Sequence, residues 1–322
     1  MADSLNLTEL SSELTDYVLE NKAPLFSKMV NGAMYDWMTP IADVTDKVPL
    51  VESLVSDILQ PGGKTTFTPT ENAVSFKNRF AQVRAAKADL QFTQAQLQQL
   101  RKSWIGLMAK SQAAGIAYDV YYIPFEAFLM GKVIERFNKN LREAIIKGTY
   151  NAAGTGKLDV MDGLLTLITD DITSLDIPAA NVFAGAAITE SNAEDQVLGV
   201  AKKSLANEDY AGADMVMLIS PINKWNYEVD YRNNHGALPY NNTFAQGIIP
   251  GTNIVLFPVP ELTGSNRLIV TPKENICLAY DDLNRANSIT VEREKRNIDL
   301  MIDVEIGMNY AIAETIWTND QA

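Results

Sequence analysis

Residues 298 to 312 read Ile298-Asp299-Leu300-Met301-Ile302-Asp303-Val304-Glu305-Ile306-Gly307-Met308-Asn309-Tyr310-Ala311-Ile312. The even-numbered positions are all apolar and the odd-numbered ones mostly polar, for fifteen positions without a break. Alternation with period two places the two sets on opposite faces of a β-strand, here about three times the ordinary length. At roughly 3.3 Å per residue the strand would run ~50 Å, longer than a compact domain needs to close a core. The pattern predicts an elongated subunit built to be tiled.

The composition bounds what surrounds that strand. A chain of 322 residues with 47% hydrophobic content buries one large core or two moderate ones, so we expect two domains or one domain with long projections. Apolar runs such as Met215 to Ile219 fall far short of the ~20 residues a spanning helix requires. The N-terminus MADSLNLTEL has neither a basic stretch nor an apolar segment of the secretory kind. These features predict a soluble protein, made in the cytoplasm, with no membrane partner.

Catalytic and cofactor chemistry has little to build on. The single cysteine, Cys277, excludes an internal disulfide, and the single histidine, His235, removes most metal and triad arrangements. Cys277 lies in the apolar run 275–280 and reads as a small buried hydrophobe. His235, within Arg232-Asn233-Asn234-His235-Gly236, reads as a surface loop histidine. Asn151 to Lys157 superficially resembles a phosphate loop, but that motif needs glycine at 151, Ser or Thr at 158, and a strand ahead of it. We expect no catalytic residue, cofactor or metal.

The net charge of -13 argues against a tight grip on duplex nucleic acid, which needs clustered Lys and Arg to release counterions. The charge is uneven. Between Gln60 and Ala88 stand Lys64, Lys77, Arg79, Arg84 and Lys87 against Glu71 alone, +4 in total, so the remainder carries -17. A basic excursion on an acidic body either meets an acidic neighbour of its own kind or is a solvated hairpin.

Along the chain, Leu10, Leu14, Tyr17 and Val18, then Leu25, Phe26, Met29 and Val30 beyond Pro24, predict two short amphipathic helices in an N-terminal arm. Residues 34 to 47 read as extended. Residues 48–59 and the alternation from Val74 through Phe76 and Phe80 to Phe92 flank the turn Gln60-Pro61-Gly62-Gly63-Lys64, predicting one long β-hairpin. Such a hairpin is marginal alone in water and needs a surface to lie on. Thr93 opens a helix with Leu97, Leu100, Trp104, Leu107 and Met108 as its stripe.

A longer helix spans 124 to 147. Pro124 stands at its first position, Glu126 suits the positive end, Lys147 stands in the last turn and Gly148 stops it. Its stripe is Phe125, Phe128, Leu129, Val133, Phe137, Leu141 and Ile145, and the rod is expected to pack along the long C-terminal strand. A short helix follows over 162–168. Ser191 and Glu194 form a capping-box pattern ahead of Val197, Leu198, Val200, Ala201 and Leu205. Met215 to Ile219 reads as a buried strand, and 222–231 as a helix with Trp225 and Val229 in the core. Further strands are expected over 251–258, 267–271, 276–280 and 288–292. Helices and strands intermixed in this way indicate an α+β fold.

From Gly154 onward this order resembles the major capsid proteins of tailed bacteriophages with the Hong Kong 97-like fold. The residues that carry the resemblance are Met161-Asp162-Gly163-Leu164-Leu165, Tyr210-Ala211-Gly212-Ala213 ahead of Met215 to Ile219 with Ser220-Pro221, and Asn234-His235-Gly236-Ala237-Leu238-Pro239-Tyr240. They continue with Ile249-Pro250-Gly251-Thr252-Asn253-Ile254-Val255-Leu256-Phe257-Pro258-Val259 and Val291-Glu292-Arg293-Glu294. The arm from Leu14 to Gly32 resembles those of capsid proteins from phages of Bacteroidetes.

The resemblance implies an N-terminal arm over 1–46 and an extended loop over 47–93 lying across a neighbouring subunit. It further implies a peripheral domain over 94–184 and 289–322, with the long helix as its spine, and an axial domain over 185–288. It implies a virion protein without enzymatic activity that self-assembles, in the host cytoplasm, into hexamers and pentamers of an icosahedral head enclosing double-stranded DNA without sequence-specific binding. Lys64, Lys77, Arg79, Arg84 and Lys87 become inter-subunit contacts of the extended loop. A portal and decoration proteins are implied partners. No scaffolding segment precedes the arm, so either a separate scaffold protein is expected or the chain is already shortened, and Met1 favours the first. Some such proteins weld subunits through a Lys–Asn bond assisted by a Glu, but Asp299 and Ile306 stand at the Asn and Glu positions, and that chemistry is not implied here. A cellular nanocompartment shell of encapsulin type, with the same fold, is the alternative.

Overall fold

The structure is a computed structural model that describes residues 6–55, 59, 74–113, 123–208, 210, 213–236, 247–282 and 288–321. Helix α1 (Leu7–Glu20) begins at Asn6, whose side chain accepts from the backbone N–H of Thr8 at 3.1 Å, satisfying a donor the first turn leaves free. Helix α2 (Lys22–Ala33) carries Pro24 in its first turn, where its missing N–H costs no helical bond. Both helices bury their apolar stripes, including Leu10, Leu14, Phe26 and Met29, in the main core. The arm is therefore folded back onto its own subunit.

After strand β1 (Met38–Ile41), β2 (Lys47–Val55) and β3 (Val74–Gln82) form an antiparallel ribbon in which Pro49 faces Phe80. The single hairpin expected to run to Phe92 is corrected here. The chain leaves the ladder at Val83, whose N–H donates to Asp46 O at 2.7 Å, and β4 (Arg84–Thr93) departs to another sheet. The turn at 60–64 and Lys64 lie outside the described residues.

Helix α3 (Gln94–Ala113) starts on a reciprocal cap. Thr93 N donates to Gln96 Oε1 at 2.9 Å, and Gln96 N to Thr93 Oγ1 at 3.4 Å. Leu97 is buried and Leu100 and Trp104 are partly so, but Leu107 is exposed, so the stripe is shorter than expected. Helix α4 (Phe125–Lys147), with 23 residues, is a rod of about 35 Å. It packs chiefly on α2, with α1 and helix α5 (Leu164–Ser174) beside it. The rod shares the main core with the long strand, and α1 also packs on β10 (Ile289–Glu294) and β11 (Asn297–Tyr310).

Strand β11 organises the first sheet. Its first half pairs antiparallel with β10 on one side and β4 on the other, and its second half with β9 (Ile276–Tyr280), which carries β1 in parallel. The predicted alternation holds, with Ile298, Leu300, Ile302, Val304, Ile306, Met308 and Tyr310 all buried. The second sheet runs β5 (Val182–Phe183), β12 (Trp317–Asn319), β8 (Ile269–Pro272), β6 (Met215–Ile219), β7 (Ile254–Pro258). Every residue of β6 is buried because both faces are covered. Val216 and Leu218 join the main core, while Met215, Met217 and Ile219 join a second core beneath helices α6 (Ala193–Leu205) and α7 (Pro221–His235).

Three expectations for these helices change. Ser191 is not the cap of α6. That position belongs to Asn192, and the Glu194 carboxylate accepts from Asn234 Nδ2 and pairs with His235 Nε2, each at 2.8 Å. A side chain committed across the helix pair cannot close a capping box. His235 accordingly is the last residue of α7 rather than part of a loop, its ring 4.3 Å from that of Tyr231, where the helix end favours positive charge. Trp225 is 49% exposed. The buried face of α7 carries Asn223, Asn226, Tyr227 and Asp230, and Ile222 and Trp225 lie outside it.

Cys277 is buried, and burial pushes its thiol above the usual range. Native protein at pH 8 is expected to react with an aromatic disulfide reagent at least ~100-fold more slowly than urea-unfolded protein. Comparable rates would mean that β9 is not covered as described. No helix among the described residues is long and apolar enough to cross a membrane.

Candidate assembly surface

The ribbon β2–β3 and the strand it crosses form the candidate site. At its base Leu50, Ala81 and Val83 pack with Val44, Cys277 and Ala279 in a small apolar cluster of their own. The backbone passes so near β11 that a Cβ on Gly307 would stand 1.9 Å from Gln82 O. Glycine is required there by close approach, not by backbone angle. Asn309 Nδ2 donates to Phe80 O at 2.8 Å beside it.

Arg79 does not reach solvent freely. Its Nη2 lies 2.5 Å from Asp171 Oδ2, with both side chains about seven-eighths buried, and its guanidinium covers the ring of Tyr310 at 4.3 Å. The Tyr310 hydroxyl donates to the same Asp171 oxygen. Burial first, then that hydrogen bond to an anion, pushes the Tyr310 phenol well above its ordinary range. Arg84 sits over the Tyr150 ring at 3.4 Å and donates to Gln82 Oε1 at 3.2 Å. Lys77 pairs with Glu314 and Lys87 with Asp89, both at 2.7 Å and both exposed, arrangements worth little in stability. Each of the four described basic residues thus has a partner within its own subunit. Asp171, Asn309, Tyr310 and Glu314 were not singled out from sequence, since nothing local ties them to a segment more than ninety positions away.

Reversal of Arg79 to Glu would set a second carboxylate against Asp171, and that variant is expected to lose stability.

A separate polar cleft of about 320 Å³ lies where α1, α3 and α4 meet, lined by Glu9, Glu13, Glu126, Arg101 and Trp104 among others. Partial burial, then the charges of Glu126 and Glu9, raise the Glu13 carboxyl above its usual range. Among the described residues no group of three or more His, Cys, Asp or Glu side chains is placed to hold a metal ion.

No protein-family model matches the sequence, and no curated protein is significantly similar to it. Solved structures do match. A chain of the satellite phage P4 procapsid, determined with its size determination (Sid) protein, is 14% identical over 92% of this chain and 89% of its own, with a TM-score of 0.61. A chain of the cyanophage A-1(L) capsid asymmetric unit is 10% identical over 91% and 92%, with a TM-score of 0.54. A chain of the holo-SrpI encapsulin complex from Synechococcus elongatus PCC 7942 is 10% identical over 88% and 84%, with a TM-score of 0.50. At such identities the likeness speaks for architecture, and it spans nearly the whole of each chain. The chain has the Hong Kong 97-like fold, the architecture of tailed-phage capsid proteins.

Proposed function

We propose that this protein is a non-enzymatic shell subunit that self-assembles into hexamers and pentamers of an icosahedral phage head around double-stranded DNA. The observation that carries the reading is the fold shared along nearly the full length of capsid chains. We assign the extended loop to 47–93, its return strand 84–93 lying on β11 of its own subunit, the arm to 1–46, the peripheral domain to 94–184 with 289–322, and the axial domain to 185–288. Lys77 and Lys87, exposed despite their local partners, would present charge to the acidic neighbour, together with Lys64 and Arg84. Closed symmetry lets many weak contacts hold together while each stays reversible during assembly.

Negative-stain microscopy and light scattering of the purified protein, alone and with its scaffold, test the reading. Closed shells or capsomers are expected, with assembly slowing as salt rises, because the Debye length shrinks from ~10 Å at 0.1 M to ~3 Å at 1 M. A monomer that persists at high concentration with the scaffold present overturns it.

The match to an encapsulin chain favours a second reading, a cellular compartment shell. Neighbouring portal and terminase genes would mark a phage head, and a neighbouring peroxidase or ferritin-like gene a compartment.

A further inference from the structure

Among the described residues, the ribbon meets the body of the subunit at a polar cluster whose members come from three elements: Arg79 on β3, Asp171 on α5 and Tyr310 at the end of β11. A single oxygen, Asp171 Oδ2, receives both the Arg79 guanidinium and the Tyr310 hydroxyl. Asn309 braces the same guanidinium at 3.3 Å through Oδ1 and the β3 backbone through Nδ2. Apolar packing at the ribbon's base tolerates sliding and small rotations. Charge-assisted hydrogen bonds converging on one oxygen do not, since they are satisfied in a narrow range of directions. Ions buried to this extent that lose this geometry are left poorly solvated.

We propose that Arg79, Asp171 and Tyr310 form a latch that sets the angle at which the β2–β3 ribbon leaves the subunit, making Arg79 a positioning residue for assembly. The proposal rests on the shell-subunit reading and assigns the regulation of its geometry to three side chains. The latch acts before any neighbour is met. A ribbon held at one angle presents its contacts in one register, and a released ribbon samples many, so subunits would join with varied curvature.

The test uses the full chain with Asp171→Asn, which keeps shape and removes charge, and Tyr310→Phe, which removes only the hydroxyl. Amide exchange is followed in the dispersed subunit, and shell formation by light scattering and microscopy. With Asp171→Asn, exchange in 47–55 and 74–82 should rise at least roughly tenfold while α4 and β6 stay within about twofold. Shells should become fewer and uneven in diameter. Tyr310→Phe should shift both readouts in the same direction and less, and it decides the matter if Asp171→Asn fails to fold. Unchanged ribbon exchange overturns the latch, and raised exchange with uniform wild-type shells overturns its role in assembly. Failure of the wild type to assemble would instead overturn the shell reading and the assembly role with it, while the exchange comparison still decides the latch.

Discussion

Trp317→Ala is expected to lower stability by about 3–5 kcal/mol, whereas Trp225→Ala is expected to change it by no more than about 0.5 kcal/mol. Trp317 is 1% exposed, stands opposite Val270 in the second sheet and meets the ring of Tyr210 edge-on at 6.0 Å. Its indole fills the second core together with Met215, Met217 and Val197, so truncation leaves a cavity among side chains fixed by a sheet on one side and two helices on the other. Trp225 projects from the outer face of α7, and nothing collapses when it is removed. Urea titration followed by circular dichroism measures both, the midpoint falling for the first variant at unchanged slope. A Trp225 variant losing more than about 1 kcal/mol, or a Trp317 variant losing less, would mean that the helix faces are assigned the wrong way round. The Trp225 variant, carried into the assembly assay, also reports whether the exposed indole is a subunit contact.

The error this pair exposes is instructive. Periodicity marks the side of a helix on which apolar residues fall, and burial is then inferred from hydrophobicity. In α7 the inward side carries Asn223, Asn226 and Asp230 beside the core residue Tyr227, because part of what it meets is polar. Asn223 Nδ2 donates to Ser265 O, and Asp230 Oδ2 accepts from the backbone of Glu194. Satisfied in this way, buried polar groups are tolerated, and the apolar residues are left outside. No local pattern carries that information, because both acceptor and donor come from distant turns.

What was legible rested on repetition over many residues. The alternation of β11, the stripe of α4, the five apolar residues of β6 and the helix start at Thr93 each follow from short-range chemistry, and each stands within a residue or two of its expected place. Strand β1, only four residues with Pro40 inside it, lacked any such signal, and β12 is shorter still. The break at Val83 was hidden for another reason. Alternation continues on both sides of it, so a strand that changes partner reads as one strand. The long ribbon's missing surface was therefore sought wholly on a neighbour, although β4 finds it on β11. For the basic residues, charge was legible and partners were not: Asp171 and Glu314 are reached only through the fold.

Gly307→Ala and Gly131→Ala are expected to move stability in opposite directions. In the alternating stretch Gly307 occupies an outward-facing position where alanine reads as an improvement, since glycine costs a strand roughly 0.5–1 kcal/mol. The structure reverses that sign. A methyl group there would stand 1.9 Å from Gln82 O and 2.6 Å from its carbonyl carbon, and these are backbone atoms. They cannot simply swing away, because the next N–H, of Val83, is committed to Asp46 O, and Phe80 O to Asn309. Either the ribbon base lifts off β11, losing those bonds, or β11 bends and strains its pairing with β9. Overpacking of this kind costs about 1–3 kcal/mol when side chains can adjust, and the upper end applies with backbone on both sides. Gly131, on the exposed side of α4 with open space around its missing Cβ, provides the control. Alanine there restricts only the unfolded chain and should add about 0.4–1 kcal/mol. Thermal melts of the two single variants against wild type make the comparison. If both stabilise, the ribbon does not ride on Gly307, and the latch at Arg79 loses the contact that brings it within reach of Asp171.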